Sequence, residues 1–224
     1  MKTAFLIDGD YFLRRYRHLC GSKSPENVAK GLHWMCRQHL EWQRNNEQES
    51  QQWELYRIFF YDCPPLTKKE HNPVNGQAID FSKTQTAQWR NSFHDELRKL
   101  RKLALRLGYL NERMGHWTLR GKKLKELLSG KIQLSDLQED DICYETRQKG
   151  VDMRIGLDIA SMAFNNQVSQ IILVAGDSDF VPAAKLARRE GIDFILDPMW
   201  GSIRHDLHEH IDGLRSVIKK DGNN

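Results

Sequence analysis

The sequence predicts an α/β fold: a mostly parallel sheet covered on both faces by helices. Two observations carry this. Short apolar runs alternate with segments of helical periodicity, most clearly over the last third of the chain. The first run, Thr3 to Ile7, ends abruptly in Asp8-Gly9-Asp10, as a buried strand does where its carboxyl end meets a turn.

Each element follows from a local signal. A helix is expected from about Pro25 to Arg44, where Val28, Leu32, Met35, Cys36 and Leu40 stand near helical spacing. Asn45 to Gln52 is polar and reads as a loop. Glu54 to Tyr61 is rich in β-branched and aromatic residues and reads as a strand, stopped by Pro64-Pro65. Leu66 to Ser82 lacks periodicity, contains Pro73 and Gly76, and reads as a long loop or an insertion. A long helix is expected from about Thr84 to Leu107, its stripe Leu97, Leu100, Leu103 (or Ala104) and Leu107, with Gly108 as its cap. Tyr109 to Tyr144 suggests one or two strands, a short basic helix near Lys122 to Leu128 and an acidic turn at Glu139 to Asp141. Then come a helix from Asp152 to Asn165, a strand from Gln170 to Ala175, and the turn Gly176 to Asp179. A helix to Glu190 with Gly191 as its cap follows, then a strand from Asp193 to Leu196 and a last helix between Ile203 and Leu214.

Composition bounds the class. The 224 residues suit one domain, about 1–218, with a polar tail at 219–224. Only five residues separate Lys2 from Asp8, too few for the apolar part of a signal peptide, and no apolar run approaches a membrane span. The expected location is cytoplasmic. The cysteines Cys20, Cys36, Cys63 and Cys143 lie far apart, which argues against a thiolate zinc site or a disulfide framework. Net charge is +4, but basic residues crowd from Arg98 to Lys131 with only Glu112 and Glu126 among them. That density suits a polyanion-binding face and equally a solvated helix face.

The acidic residues carry the chemistry. In a parallel α/β sheet, ligands bind beyond the carboxyl ends of the strands, near the point where strand order reverses. Asp8 and Asp177 both end a predicted strand. Asp152 starts a helix after Lys149-Gly150-Val151, and Asp179 opens the helix after Asp177. Pro182 belongs near the first turn of that helix, which makes Asp179 or Ser178 a candidate N-cap. Capping alone explains Asp152 or Asp179 singly, not four aspartates on one rim. Clustered carboxylates repel unless a cation neutralises them, and oxygen-only ligands select Mg²⁺ or Mn²⁺. Such ions promote phosphodiester hydrolysis.

Leu6-Ile-Asp-Gly-Asp10, Lys149-Gly-Val-Asp152 and Gly176-Asp-Ser-Asp-Phe180 together resemble the NYN family, the LabA-like branch of the PIN-like nucleases. Val181 to Asp193 and Tyr56 to Pro65 are similar to it as well. The resemblance runs over nearly the whole chain, with less typical insertions at about 66–92 and 109–145, and implies a three-layer, Rossmann-like sandwich with an acidic Mg²⁺ site that cleaves RNA. It implies Asp8, Asp152, Asp177 and Asp179 as catalytic metal ligands, with Asp10 as a further candidate beside them. Where many members carry Asn three positions after the first aspartate, this chain has Tyr11, which puts the support of the first loop in question.

Other residues are weighed beside these. Single-stranded RNA is the expected partner, and Arg98, Arg101, Lys102, Arg120, Lys122, Lys123, Arg188 and Arg189 are candidates to grip it. Trp117, between His116 and Arg120, is the candidate for base stacking, while the other tryptophans read as core. Asp62 closes the second predicted strand and reads as a turn residue before Pro64-Pro65, with a place on the rim as the alternative, and Asp158 reads as a neighbour of the ligands. His205, His208 and His210 do not share one helix face and read as surface residues. A self-association through Leu66 to Ser82 is open. Two other functions stay open: a non-catalytic RNA-binding or regulatory module, suggested by Tyr11, and a haloacid-dehalogenase-like phosphatase, suggested by Asp8-Gly9-Asp10. Against the phosphatase, Tyr11-Phe12 replaces the usual Gly-Thr and Val181 stands where a later acid is required.

Overall fold

Strand β1 (Lys2–Asp8) runs directly into helix α1 (Gly9–Cys20), followed by α2 (Pro25–Asn46) and β2 (Glu54–Asp62). Next come β3 (Lys69–His71), β4 (Ala78–Asp80), α3 (Gln85–Lys99) and β5 (Leu103–Leu107). They are followed by β6 (Tyr109–Leu119), α4 (Gly121–Leu128), β7 (Ile142–Lys149) and α5 (Val151–Phe164). The last elements are β8 (Gln170–Val174), α6 (Val181–Arg189), β9 (Asp193–Asp197), α7 (His205–His208) and β10 (Gly213–Leu214). The structure is a computed structural model and describes residues 1–46 and 53–219. The expected loop beyond Asn46 and the polar tail beyond Lys219 lie outside the described residues.

The chain forms two units. The first comprises Met1–Asp62, Ser92–Gly108 and Gly150–Asn224, and the second Cys63–Asn91 and Tyr109–Lys149. The first is built on a six-stranded sheet in the order β10-β9-β8-β1-β2-β5, with every pairing parallel. The chain steps outward from β1 through β2 to β5, then returns to β8 and steps the other way through β9 to β10. Strand order therefore reverses between β1 and β8. All of β8 is buried, as is the centre of β1, so helices cover both faces in a three-layer α/β sandwich. Aromatic rings fill the core beside β2: Phe12 and Phe93 each meet Phe60 edge-on, at 5.9 and 5.5 Å between centroids.

Three elements differ from the sequence expectation. No loop follows β1; Asp8 ends the strand and caps α1, accepting a hydrogen bond from the Tyr11 amide at 3.2 Å. The buried stripe Phe12, Tyr16 and Leu19 is masked in the sequence by Arg14, Arg15 and Arg17. Only glycine fits at position 9, where a Cβ would stand 2.6 Å from the Tyr61 carbonyl oxygen.

The long helix expected to reach Leu107 stops at Lys99. The chain turns through Lys102 at φ 61° and enters β5, whose Leu103 to Leu107 pair with Ile58 to Asp62. Leucines at 97, 100, 103 and 107 satisfy helical spacing, but Leu103, Leu105 and Leu107 satisfy strand alternation equally well. Gly108 caps no helix: its amide donates to the Asp62 carbonyl at 2.7 Å. Near the end, only His205–His208 is helical where a helix to Leu214 is expected. The Asp212 carboxylate accepts from the Phe194 amide at 2.9 Å, and Gly213–Leu214 extends the sheet as β10.

The second unit is antiparallel. Leu66 to Ser82, expected as loop or insertion, contains the short hairpin β3–β4 and a 3₁₀ turn at Phe81–Lys83. Strands β6 and β7 pair antiparallel, with an irregularity between Asn111 and His116, and α4 occupies the expected basic helix. A cluster of rings organises the unit: Phe81 lies 5.1 Å from Tyr144, and Trp117 lies 5.4 Å from Tyr144. Among the described residues, no helix is long and apolar enough to cross a membrane.

Candidate functional site

The carboxyl ends of β1 and β8 are neighbours, because Ile7 pairs with Val174 at the last rung of their ladder. Asp8 follows the first and Gly176-Asp177 the second, at the point where strand order reverses. This is where an open parallel sheet presents its crevice.

Asp8 is held at the strand end by its capping bond to Tyr11. Burial pushes its carboxyl from 3.8 up to about 6; the Tyr11 amide opposes this, and the charges of Asp10 and Asp152 raise it further. Asp152 stands second in α5, behind Gly150, whose φ of +80° turns the chain into the helix. Its carboxyl is raised by partial desolvation, then by the charges of Asp177 and Asp179. Asp177 caps the 3₁₀ turn Ser178–Phe180, accepting from the Asp179 amide at 3.1 Å.

The capping expectation shifts accordingly. Asp177, not Asp179 or Ser178, is the cap, and α6 itself has no side-chain cap; Pro182 stands in its first turn. Asp179 is exposed and its carboxyl is left without a capping role. The four aspartates thus share one electrostatic neighbourhood, with Asp152 linking Asp8 to Asp177 and Asp179. Asp10 is half-buried and ion-paired to Arg14 at 3.2 Å.

The donor chemistry suits a hard divalent cation: carboxylates only, with the charge of Asp152 raising the Asp8 carboxyl and those of Asp177 and Asp179 raising Asp152. The side chains are not drawn into one ligand shell, however. Among the described residues, no three His, Cys, Asp or Glu side chains are gathered closely enough to hold a metal ion. The histidines of α7 accordingly form no metal group, and His205 pairs with Glu209 at 3.4 Å.

Tyr11 has a different place from the one its sequence position suggests. Its hydroxyl donates to the Pro198 carbonyl at 2.6 Å, and its ring fills the space a side chain would need at Gly176 and Gly201. The residue therefore braces the turns that follow β8 and β9. Asp62 is no turn residue either: it is buried and bonded to His94 Nε2 at 2.8 Å. A matching pair joins His39 Nε2 to Asp197 Oδ2 at 2.9 Å, both fully buried. Neither histidine stands out in the sequence; the available signal is a histidine within the apolar stripe of a predicted helix, beside Phe93 or before Leu40. Asp158 accepts from the Tyr61 hydroxyl at 2.7 Å and pairs with Arg106 at 3.4 Å.

The basic residues divide between the two units. Arg98, Arg101 and Lys102 belong to the first, and Arg120, Lys122 and Lys123 to the second. Several are engaged locally: Arg98 with Asp95 at 2.6 Å, Lys102 with the Leu55 carbonyl, and Arg120 with the Asp140 carbonyl at 2.7 Å. Lys123 reaches Glu126 and Asp141 at 3.5 and 3.7 Å. Arg188 pairs with Asp212 at 2.8 Å and Arg189 with Glu190 at 3.7 Å. Trp117 is packed in the ring cluster of the second unit, its indole nitrogen buried without a hydrogen-bond partner. Trp34 and Trp200, by contrast, are 47% and 62% exposed rather than core.

No curated protein matches the chain. The model of the NYN domain matches residues 78–205, more than half of it. The matched span includes Asp152, Asp177 and Asp179, and Asp8 lies outside it. With a parallel α/β sandwich of PIN-like nuclease type beneath these aspartates, the chain belongs to the NYN domain family.

Proposed function

We propose that the protein is a metal-dependent endoribonuclease acting on single-stranded RNA. The observation that supports this most is the electrostatic chain from Asp8 through Asp152 to Asp177 and Asp179, set at the reversal point of the sheet. Charge repulsion of this kind costs stability, and a bound cation offsets it. Asp8, Asp152, Asp177 and Asp179 would hold Mg²⁺ or Mn²⁺, with Asp10 beside them. When bound, such an ion supplies charge neutralisation at the phosphate and lowers the pKa of water.

The chain's own residues do the rest. The strand end and the α1 cap fix the Asp8 carboxyl, and the Asp177 cap fixes the turn that presents Asp179. Tyr11 holds that turn from behind. Asp8, with a value of about 6, is ionised at neutral pH and takes up a proton at milder acidity than an ordinary aspartate.

The test is incubation of purified protein with end-labelled single-stranded RNA in Mg²⁺, Mn²⁺ or EDTA, beside Asp177→Asn. Metal-dependent fragments that vanish in the variant support the assignment. Cleavage that persists in Asp177→Asn, or in EDTA, defeats it. Intact RNA in every lane with retarded migration on a native gel would favour the non-catalytic RNA-binding module.

A further inference from the structure

The turn Pro198–Gly201 leaves β9 at the same end of the sheet as Asp8 and Gly176. Met199 and Trp200 take φ values of 46° and 59°, a left-handed conformation that is unfavourable for bulky side chains. A set of bonds imposes it. Asp197 Oδ1 accepts from the Met199 amide at 2.7 Å, and Arg15 donates twice to the Met199 carbonyl, at 3.0 and 2.7 Å. The Trp200 amide donates to Ser216 Oγ at 2.9 Å, and its indole Nε1 donates to the Ile218 carbonyl at 2.6 Å.

The outcome is an indole whose edge is pinned while the residue stays 62% exposed. Burial of the ring does not account for it, since the ring is left in water. The strain instead presents a rigid aromatic face. Its position relative to the acidic residues is set by Tyr11. A Cβ at Gly176 would stand 2.4 Å from the Tyr11 ring, and one at Gly201 2.4 Å from its hydroxyl. The turn carrying Trp200 and the turn carrying Asp177 therefore pack on one tyrosine.

We propose that Trp200 is a nucleobase-stacking platform, on which an unpaired base of the RNA strand rests while its backbone passes the aspartates. This rests on the ribonuclease reading and assigns that site a base-recognising element. Stacking of a base on an aromatic face is sequence-tolerant and needs no base-pairing edge, so it suits a single strand.

The test measures fluorescence anisotropy in Mg²⁺ with an Asp177→Asn background, using a short labelled RNA and an abasic strand of equal length. Cleavage by the parent chain is scored in parallel. The Asp177→Asn protein should bind the base-bearing strand about ten-fold more tightly than the abasic one. Adding Trp200→Ala should remove that preference and leave abasic binding unchanged, and Trp200→Phe should keep most of it. Equal binding of both strands by the Trp200-bearing protein, or parallel loss of both on Trp200→Ala, overturns the platform. Cleavage without base-dependent binding condemns the platform alone, whereas absence of both cleavage and binding condemns the ribonuclease reading with it.

Discussion

Asp8 is where function and stability pull against each other. Its carboxyl is raised from 3.8 to about 6, so the native state holds this proton more tightly than the unfolded chain does. The stabilisation that follows is complete below 3.8 and is lost as pH rises through about 6. At neutral pH the ionised group is a burden on the order of 1–3 kcal/mol. Asp8→Asn keeps an oxygen to cap α1 and removes the charge. The variant should melt several degrees above the parent by calorimetry, and it should not cleave RNA. A lower melting temperature would show that the carboxylate is compensated in the native state.

The same residue predicts proton–metal competition. Cleavage should fall as pH drops through about 6, and rising Mg²⁺ should push that limb to lower pH. An acid limb indifferent to Mg²⁺ would uncouple Asp8 from the cation. Mg²⁺ should also raise the melting temperature of the parent more than that of Asp152→Asn.

At the scale of elements, the carboxyl ends of the strands are positioned by close approaches. Gly9→Ala would drive a methyl group against the Tyr61 carbonyl, 2.6 Å away, and displace the α1 start that Asp8 caps. A loss of about 1–3 kcal/mol in denaturant unfolding is expected. The strands and helices from Val151 to Asp197 were legible because apolar runs and caps there agree with one another, as at Pro182 and Gly191, whereas the stretch from Ile203 to Leu214 read as a helix and is mostly not one. Helix α1 was not, because arginines interrupt its stripe. Strand β5 was not, because leucines at 103, 105 and 107 serve either period and only the sharp turn at Lys102 decides. Asp8, Asp152 and Asp177 were readable as rim residues from strand ends and helix starts. The partners that fix the rim were not, since Tyr11 meets Pro198 across 187 positions of sequence.

At the scale of the whole molecule, two buried Asp–His pairs tie the sheet to its helices: Asp62 with His94, and Asp197 with His39. Burial lowers the His39 pKa below 6.5 despite its bond to Asp197. The unfolded chain then takes up this proton first as pH falls. Stability should decline just below pH 6.5, opposite in sign to the Asp8 contribution. In an Asp8→Asn background, thermal unfolding against pH should show that decline undisguised, and adding His39→Asn should flatten it. A slope unchanged by His39→Asn would assign it to other groups.

Tyr11, Gly176 and Gly201 bear on how this chain can change. The tyrosine occupies the volume that side chains at both glycines would take, so neither glycine can be enlarged while it remains. Reducing it to a smaller side chain such as asparagine would leave two bare glycines facing a void. Each single step passes through a poorer molecule, and only joint replacement reaches another well-packed one. Descendants of this sequence should therefore keep or exchange the three residues together, as one inherited character.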